Sequence, residues 1–120
     1  MALYDTLPVF KAGYDLLIDL FGTTTNLSRE YKFTVGEEMK KGMLTVLKNI
    51  YKANLTHDKL LCISTAREEL ELVRLQVRLL KDLRQINLPQ QVRLNEKIEL
   101  VSRQLSGWEC SNKKNVHLNN

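Results

Sequence analysis

Apolar residues recur at alternating three- and four-residue spacing along most of this chain. In a 3.6-residue helix that spacing places them on one face, so the pattern predicts amphipathic helices. Three such stripes are Leu7, Phe10, Tyr14, Leu17 and Phe21; Met39, Met43, Val46, Ile50 and Ala53; and Leu94, Ile98, Val101, Leu105 and Trp108. Only five glycines and two prolines interrupt the chain. The sequence therefore predicts an all-α protein.

The helix limits follow from capping signals. The predicted helices span about residues 7–21, 34–54, 58–87 and 89–106. Thr6 and Asp58 are candidate N-caps, Thr34 with Glu37 fits a capping box, and Gly107 is a candidate C-terminal cap. The predicted connections between these helices are short, which favours an antiparallel arrangement of consecutive helices.

We therefore expect an antiparallel, up-down-up-down four-helix bundle. Residues 1–108 form its single domain, and residues 109–120 form a flexible polar tail.

The third predicted helix has two apolar faces. On a helical wheel they form one group of Leu72, Leu75, Leu79, Leu83 and Ile86, and a second of Leu70, Val73, Val77 and Leu80. Together they span roughly 220°, about twice the arc of a helix on the outside of a monomer. We expect the second face to contact another subunit, in a homo-oligomer. The alternative is that the bundle covers this helix more deeply than usual.

Positive charge is concentrated in two segments. The net charge is +4, and residues 29–52 carry six Lys/Arg against three Glu, while residues 72–103 carry seven Lys/Arg against three Asp/Glu. Helical spacing aligns four of these cations in one stripe: Arg67, Arg74, Arg78 and Lys81. Such a stripe favours an anionic partner. The alternative is that these cations keep a helical surface soluble, or form salt bridges across the bundle to Glu37, Glu38, Asp15 or Asp19.

No motif indicates catalysis, so we expect a non-enzymatic protein without a cofactor. GxxxxGK[ST], GxGxxG and GxSxG are all absent from the sequence. Asp15 and Asp19 lack the Glu-x-x-His motif of di-metal bundles, so no metal site is predicted. No apolar run reaches the roughly 18–20 residues that span a bilayer. Cys62 and Cys110 are unclustered, which fits a reducing cytoplasm.

Four segments carry a likeness to a known family. They are LPVFKAGYDLL (7–17), REYKFTVGEEMKK (29–41), LVRLQVRLLKDLR (72–84) and QLSGW (104–108). In this order, and in a small basic chain, they resemble the accessory variability proteins of diversity-generating retroelements. The resemblance implies a four-helix-bundle protein in a pentameric ring that associates with the element's reverse transcriptase and with RNA or DNA. It further implies a role in mutagenic retrohoming, in which error-prone cDNA copied from a template repeat replaces a variable repeat.

The resemblance also implies which residues bind nucleic acid or the reverse transcriptase. The matching positions are Arg74, Arg78, Lys81 and Arg84 in the third helix, and Lys40 and Lys41 in the second. Helical geometry adds Lys48, Lys52, Arg93 and Lys97. Two alternatives stay open. One is the related four-helix-bundle family encoded within intervening sequences of 23S ribosomal RNA genes, and the other is a protein-only adaptor whose basic face docks an acidic partner.

Overall fold

The computed structural model describes the backbone of residues 3–119 and the side chains of residues 3–114. This part of the chain contains helices and no strand, which confirms the all-α prediction. The long helices are α1 (Pro8–Thr24), α3 (Val35–Leu55), α4 (Leu60–Asp82) and α5 (Leu88–Asn119). The single-turn helix α2 (Arg29–Lys32) joins α1 to α3, and a 3₁₀ turn (Tyr4–Thr6) precedes α1. None of the described helices has the length and apolarity to cross a membrane.

Each long helix packs against two others, in the cyclic order α1, α3, α4, α5. Every long helix contributes buried residues at three- and four-residue steps, the spacing of left-handed helix packing. In α4 these are Ile63, Ala66, Leu70, Val73, Val77 and Leu80. Ion pairs show that α5 runs antiparallel to α1, since Asp19 contacts Arg93 and Asp15 contacts Lys97. The result is a four-helix bundle of 52 × 21 × 20 Å.

The predicted apolar stripe of the first helix enters the core only in part. Leu17 is buried, and Leu7 and Phe10 pack against the core, whereas Tyr14 and Phe21 are 51% and 48% exposed. Helix α1 also contributes Val9, Leu16 and Leu20 to the core. The physical reason is that apolar residues cover a wide arc of α1, so that hydrophobicity alone does not reveal which part of the arc faces the bundle axis.

Several predicted caps are absent. Helix α1 begins at Pro8 after Leu7, and the Thr6 hydroxyl donates to the Leu3 carbonyl in the preceding turn. Thr34 does precede α3, but its hydroxyl donates to the Glu30 carbonyl, so no capping box forms there. Helix α4 begins at Leu60, two residues after the predicted cap at Asp58.

The third predicted helix ends five residues early, at Asp82, because a Schellman motif closes it. The Arg84 amide donates to the Lys81 carbonyl at 3.0 Å, and the Gln85 amide donates to the Leu80 carbonyl at 2.8 Å. Arg84 occupies the left-handed position of this motif, with a φ of 62°. Glycine usually fills that position because it has no Cβ to clash with the following carbonyl.

The last helix runs past its predicted end at Ser106 and includes Gly107. No described glycine has a positive φ, so Gly107 does not form the predicted C-terminal cap. Beyond it Trp108 packs on the core and Glu109 pairs with Arg67 of α4, which holds this turn against the bundle. Residues 109–119 therefore continue α5, although their predicted flexibility in solution stays a prediction.

Helices α1 and α3 are in close contact at Gly13. A Cβ placed there would lie 2.9 Å from Leu47 Cδ2, which is shorter than a van der Waals contact. The missing side chain is therefore what lets Leu47 pack against α1.

Replacing Arg84 with glycine should stabilise the protein. The left-handed conformation costs a side-chain-bearing residue about 1 kcal/mol, and glycine avoids that cost. We expect the free energy of unfolding of Arg84→Gly to exceed that of Arg84→Ala by about 0.5–1 kcal/mol in urea titrations. Arg84→Ala is the matched control, because it removes the same charge and keeps the Cβ. Equal stability of the two variants would contradict the assignment.

Candidate functional site

The ten predicted binding residues do not form one surface. Three of them, Arg78, Lys81 and Arg84, lie at the end of the bundle where α4 ends. Lys41, Lys48 and Lys52 follow the outer side of α3 and are named the α3 lysine strip. Arg93 and Lys97 lie on α5, which does not adjoin α3. Both residues face α1 and contact its Asp19. The remaining two, Lys40 and Arg74, are engaged by neighbouring side chains.

The end of the bundle that contains the α4 C-terminus gathers further cations. The Ser28 amide donates to Gln85 Oε1 at 2.9 Å, which places the start of α2 beside the turn between α4 and α5. Helix α2 contributes Arg29 and Lys32 to this end. We call Arg29, Lys32, Arg78, Lys81 and Arg84 the basic end.

Most side chains of the basic end are available to a ligand. Among the described side chains, Arg29, Lys32, Lys81 and Arg84 form no ion pair, and Arg78 reaches Asp82 only at 3.8 Å. Glu30 is the single acidic residue of α2, against Arg29 and Lys32, so the net charge of this helix is positive. Cations at the C-terminal end of α4 also lie near the negative end of its macrodipole, which favours them.

Two arginines of the predicted stripe are held by carboxylates instead. Arg74 donates to Glu71 Oε2 at 3.2 Å and to Glu99 Oε2 of α5 at 3.1 Å. Arg67 pairs with Glu109 of α5. These two arginines therefore form salt bridges that connect α4 to α5, although their partners are not the four carboxylates that the alternative named.

The α3 lysine strip is free of ion pairs within the described side chains, and all three of its lysines are exposed. Lys40, one helical turn away, differs from these lysines because neighbouring side chains engage its ammonium group. Its Nζ lies 2.8 Å from Glu37 Oε1 and 4.8 Å from the ring centroid of Phe21 on α1. Lys40 therefore contributes to packing between α1 and α3, and the pairing with Glu37 lowers the pKa of that carboxyl.

Arg93 and Lys97 are neutralised by α1. Arg93 binds both carboxylate oxygens of Asp19 at 3.0 Å, and Lys97 Nζ lies 3.0 Å from Asp19 and 3.1 Å from Asp15. Partial burial raises the pKa of Asp19, but the hydrogen bonds from Arg93 and Lys97 outweigh it and hold that pKa below its usual value. Partial burial lowers the pKa of Lys97, and the hydrogen bonds from Asp19 and Asp15 raise it overall. These four residues clamp α5 to α1.

The sequence interpretation missed two members of the basic end, Arg29 and Lys32. They lie between the first two predicted helices, and the signal for them was the basic excess of residues 29–52. Across the described side chains, no three His, Cys, Asp or Glu residues cluster in a way that could hold a metal ion.

One of the two apolar faces predicted for the third helix enters the core. Of the other face, only Ile86, which lies beyond the end of α4, is buried. Val73, Val77 and Leu80 are fully buried. Leu72, Leu75 and Leu79 are 46%, 59% and 40% exposed in the single chain. The bundle therefore does not cover this helix more deeply than usual along these three residues.

Replacing Asp19 should weaken the bundle in a pH-dependent manner. Because its folded pKa lies below the value of about 3.9 for an unfolded aspartate, its ion pairs stabilise the fold above about pH 4. This stabilisation is lost as the pH falls through the folded pKa. We expect Asp19→Asn to lower the free energy of unfolding by about 1–2 kcal/mol at neutral pH, and by progressively less below about pH 4.

Chemical denaturation at several pH values measures this difference. Asp5→Asn is the matched control, because Asp5 is exposed and forms no ion pair within the described side chains. A loss for Asp19→Asn that is the same at pH 7 and at pH 3 would contradict the assignment.

Comparison with known proteins gives one match. A family model described as bAvd-like covers residues 9–112, which is nearly all of the bundle. Among curated proteins, none matches this sequence. The family model confirms the resemblance seen in the four sequence segments, and it extends five residues beyond Gly107, to residue 112 within α5. The chain therefore belongs to the bAvd-like family, the bacterial accessory variability determinants.

Proposed function

We propose that this protein binds nucleic acid through its basic end while it assists the reverse transcriptase of a diversity-generating retroelement. In this role it supports error-prone cDNA synthesis and retrohoming in the cytoplasm, as a ring-shaped homo-oligomer and without catalytic activity of its own. Membership of the bAvd-like family is the observation that supports the accessory role. The cations of the basic end are not neutralised by carboxylates, and for this reason we assign nucleic-acid binding to this surface.

The basic end suits a phosphate backbone. Lys81 and Arg84 are separated by less than one helical turn, and Arg29 and Lys32 lie on the adjoining α2. Arginine binds phosphate through two parallel hydrogen bonds, and lysine acts as a mobile point charge. A ring would repeat this group in every subunit and thereby raise the local positive potential.

The conformation of Arg84 adds support. A residue with a side chain occupies the left-handed position that glycine usually fills. Because this conformation costs stability, its use at a surface suggests that the guanidinium has a role that glycine could not supply.

Neutralising the basic end should weaken nucleic-acid binding. We expect the triple variant Arg29→Gln, Lys81→Gln and Arg84→Gln to lose about tenfold or more in affinity for single-stranded RNA at moderate salt. Its salt dependence should also be shallower, since fewer counterions are released. Fluorescence anisotropy at several salt concentrations measures both quantities, and circular dichroism checks that the helix content is unchanged.

Two further triple variants make the test specific. The first variant combines Lys11→Gln, Arg103→Gln and Lys114→Gln. It removes the same charge elsewhere on the bundle and should change the affinity for RNA much less than the triple variant of the basic end does. The second variant combines Lys41→Gln, Lys48→Gln and Lys52→Gln. It measures the contribution of the α3 lysine strip to nucleic-acid affinity, which we expect to be smaller than that of the basic end. Equal losses in all three variants would reduce the effect to net charge and would refute a defined site.

The partnership with the polymerase has a separate test. Co-purification with the reverse transcriptase of a diversity-generating retroelement should recover a stable complex in the presence of nuclease. If no complex forms with or without template RNA, the accessory role fails even where nucleic-acid binding persists. A complex that forms only through RNA would favour the simpler function of a nucleic-acid-binding protein.

A further inference from the structure

An open pocket lies at the seam between α3 and α4, at the end of α3 that follows the basic end along the chain. Phe33, Val35 and Glu38 line it on the side of α3, and Gln76 and Leu79 line it on the side of α4. Its volume is about 530 Å³, which leaves room for a planar ring system. The pocket combines apolar walls with two polar side chains.

Phe33 gives the pocket an exposed aromatic ring. The residue is 62% exposed, although a phenyl ring gains stability from burial. It follows the last residue of α2 directly, and its amide donates to the Arg29 carbonyl, so the backbone that bears the ring is held in place. Proteins stack the unpaired bases of single-stranded nucleic acids on aromatic rings that are exposed beside cations.

The two polar side chains of the pocket can pair with a ligand. Glu38 is exposed, and its carboxylate has no ion pair or hydrogen bond among the described side chains. Gln76 Oε1 is shielded from solvent and has no hydrogen-bond partner there. The last torsion of a glutamine side chain turns over a broad range, so either end of this amide can reach a ligand in the pocket. A ligand that pairs with the amide would remove the cost of the unpaired oxygen.

Free cations border the pocket on both sides. Lys32 of the basic end directly precedes Phe33 in the sequence. Lys41 of the α3 lysine strip follows Glu38 by three residues, which places it about one turn further on the same side of α3. Neither lysine forms an ion pair among the described side chains. The pocket therefore lies between the basic end and the α3 lysine strip.

This distribution of charge favours one kind of occupant. The apolar walls and the Glu38 carboxylate disfavour a phosphate group inside the pocket. A basic peptide would meet the like charges of Lys32 and Lys41 at both borders. A single-stranded nucleic acid fits both conditions, because its phosphates can follow the lysines while one uncharged base enters the pocket.

The Glu38 carboxylate also discriminates among the bases. An ionised carboxylate accepts hydrogen bonds and donates none. Guanine presents two adjacent donors on its Watson–Crick edge, the ring imino group and the neighbouring amino group. Adenine and cytosine place a ring acceptor beside their amino group, and the single imino donor of uracil lies between two carbonyl groups. Guanine is therefore the base that best matches this carboxylate.

We infer that this pocket binds an unpaired guanine base of a single-stranded nucleic acid, stacked on Phe33 and hydrogen-bonded to Glu38. Gln76 supplies a further polar contact to the base. This inference deepens the proposed function and rests on it, since Lys32 and Lys41 bind the flanking phosphates. It adds recognition of a base to a surface that otherwise contacts phosphate.

Oligonucleotides that differ in one base test the pocket. The probes are a fluorescein-labelled oligouridine and the same strand with one central guanosine. We expect the wild-type protein to bind the guanosine strand about fivefold or more tightly in fluorescence anisotropy titrations. A third strand has inosine in place of the guanosine. Because inosine lacks the amino group, it should lose most of this gain.

Substitutions at two exposed positions assign the preference to the pocket. Glu38→Gln should bring the affinities for the guanosine strand and the oligouridine close together, because the acceptor-only group is lost. Phe33→Leu should lower the affinity for the guanosine strand about fivefold or more, because stacking is lost. Glu68→Gln and Phe21→Leu are the matched controls, since both residues are exposed and lie outside the pocket. Both controls should bind as the wild type does.

The possible outcomes separate this inference from the proposed function. Equal affinity of the wild type for the guanosine strand and the oligouridine would overturn the inference, and so would a preference that Glu38→Gln leaves unchanged or an affinity that Phe33→Leu leaves unchanged. If such binding still depends on the basic end, the proposed function stays intact, whereas no binding to any strand would overturn both. If the variants instead alter oligomer mass in sedimentation analysis, or co-purification with the reverse transcriptase, while the guanosine preference persists, the pocket contacts protein and the inference is wrong.

Discussion

Burial of one apolar stripe from each long helix in a shared core sets the position of every surface of this protein. The buried residues of α3 and α4 recur at three- and four-residue steps over their whole lengths, and those of α1 and α5 complete the core. This spacing aligns the helices nearly parallel to one axis and fixes their rotation about it. Once the rotation is fixed, the remaining positions of each helix must face either a neighbouring helix or the solvent.

The rotation of each helix separates cations that the sequence presents together. On α4, Arg67 and Arg74 face α5 and pair with its carboxylates, while Lys81 and Arg84 extend past the last paired turn. On α5, Arg93 and Lys97 face α1, where Asp19 neutralises them. Salt bridges between helices therefore account for a large part of the apparent basic stripe. Of the ten predicted binding residues, those without such partners lie at one end of the bundle and along α3.

The same rotation divides the apolar residues. The sequence predicted two apolar faces on α4, and the structure leaves one of them exposed around Leu75. On α1 the predicted apolar stripe is divided in the same way, because Leu17 is buried whereas Tyr14 and Phe21 are exposed. Both cases follow from an apolar arc wider than one contact can bury. Amphipathic analysis detects such an arc, but it does not identify the part of the arc that faces inward.

The sequence by itself determined the helical class, the number of long helices and the family, because these depend on spacing, on scarce glycine and proline, and on short segments in a fixed order. It also determined that α4 has more apolar surface than a bundle core needs. Only the tertiary structure decided which cations are free, because that depends on carboxylates distant in sequence, such as Glu99 for Arg74. It also decided the helix ends, since backbone geometry at Arg84 and packing beyond Gly107 overrode local propensity.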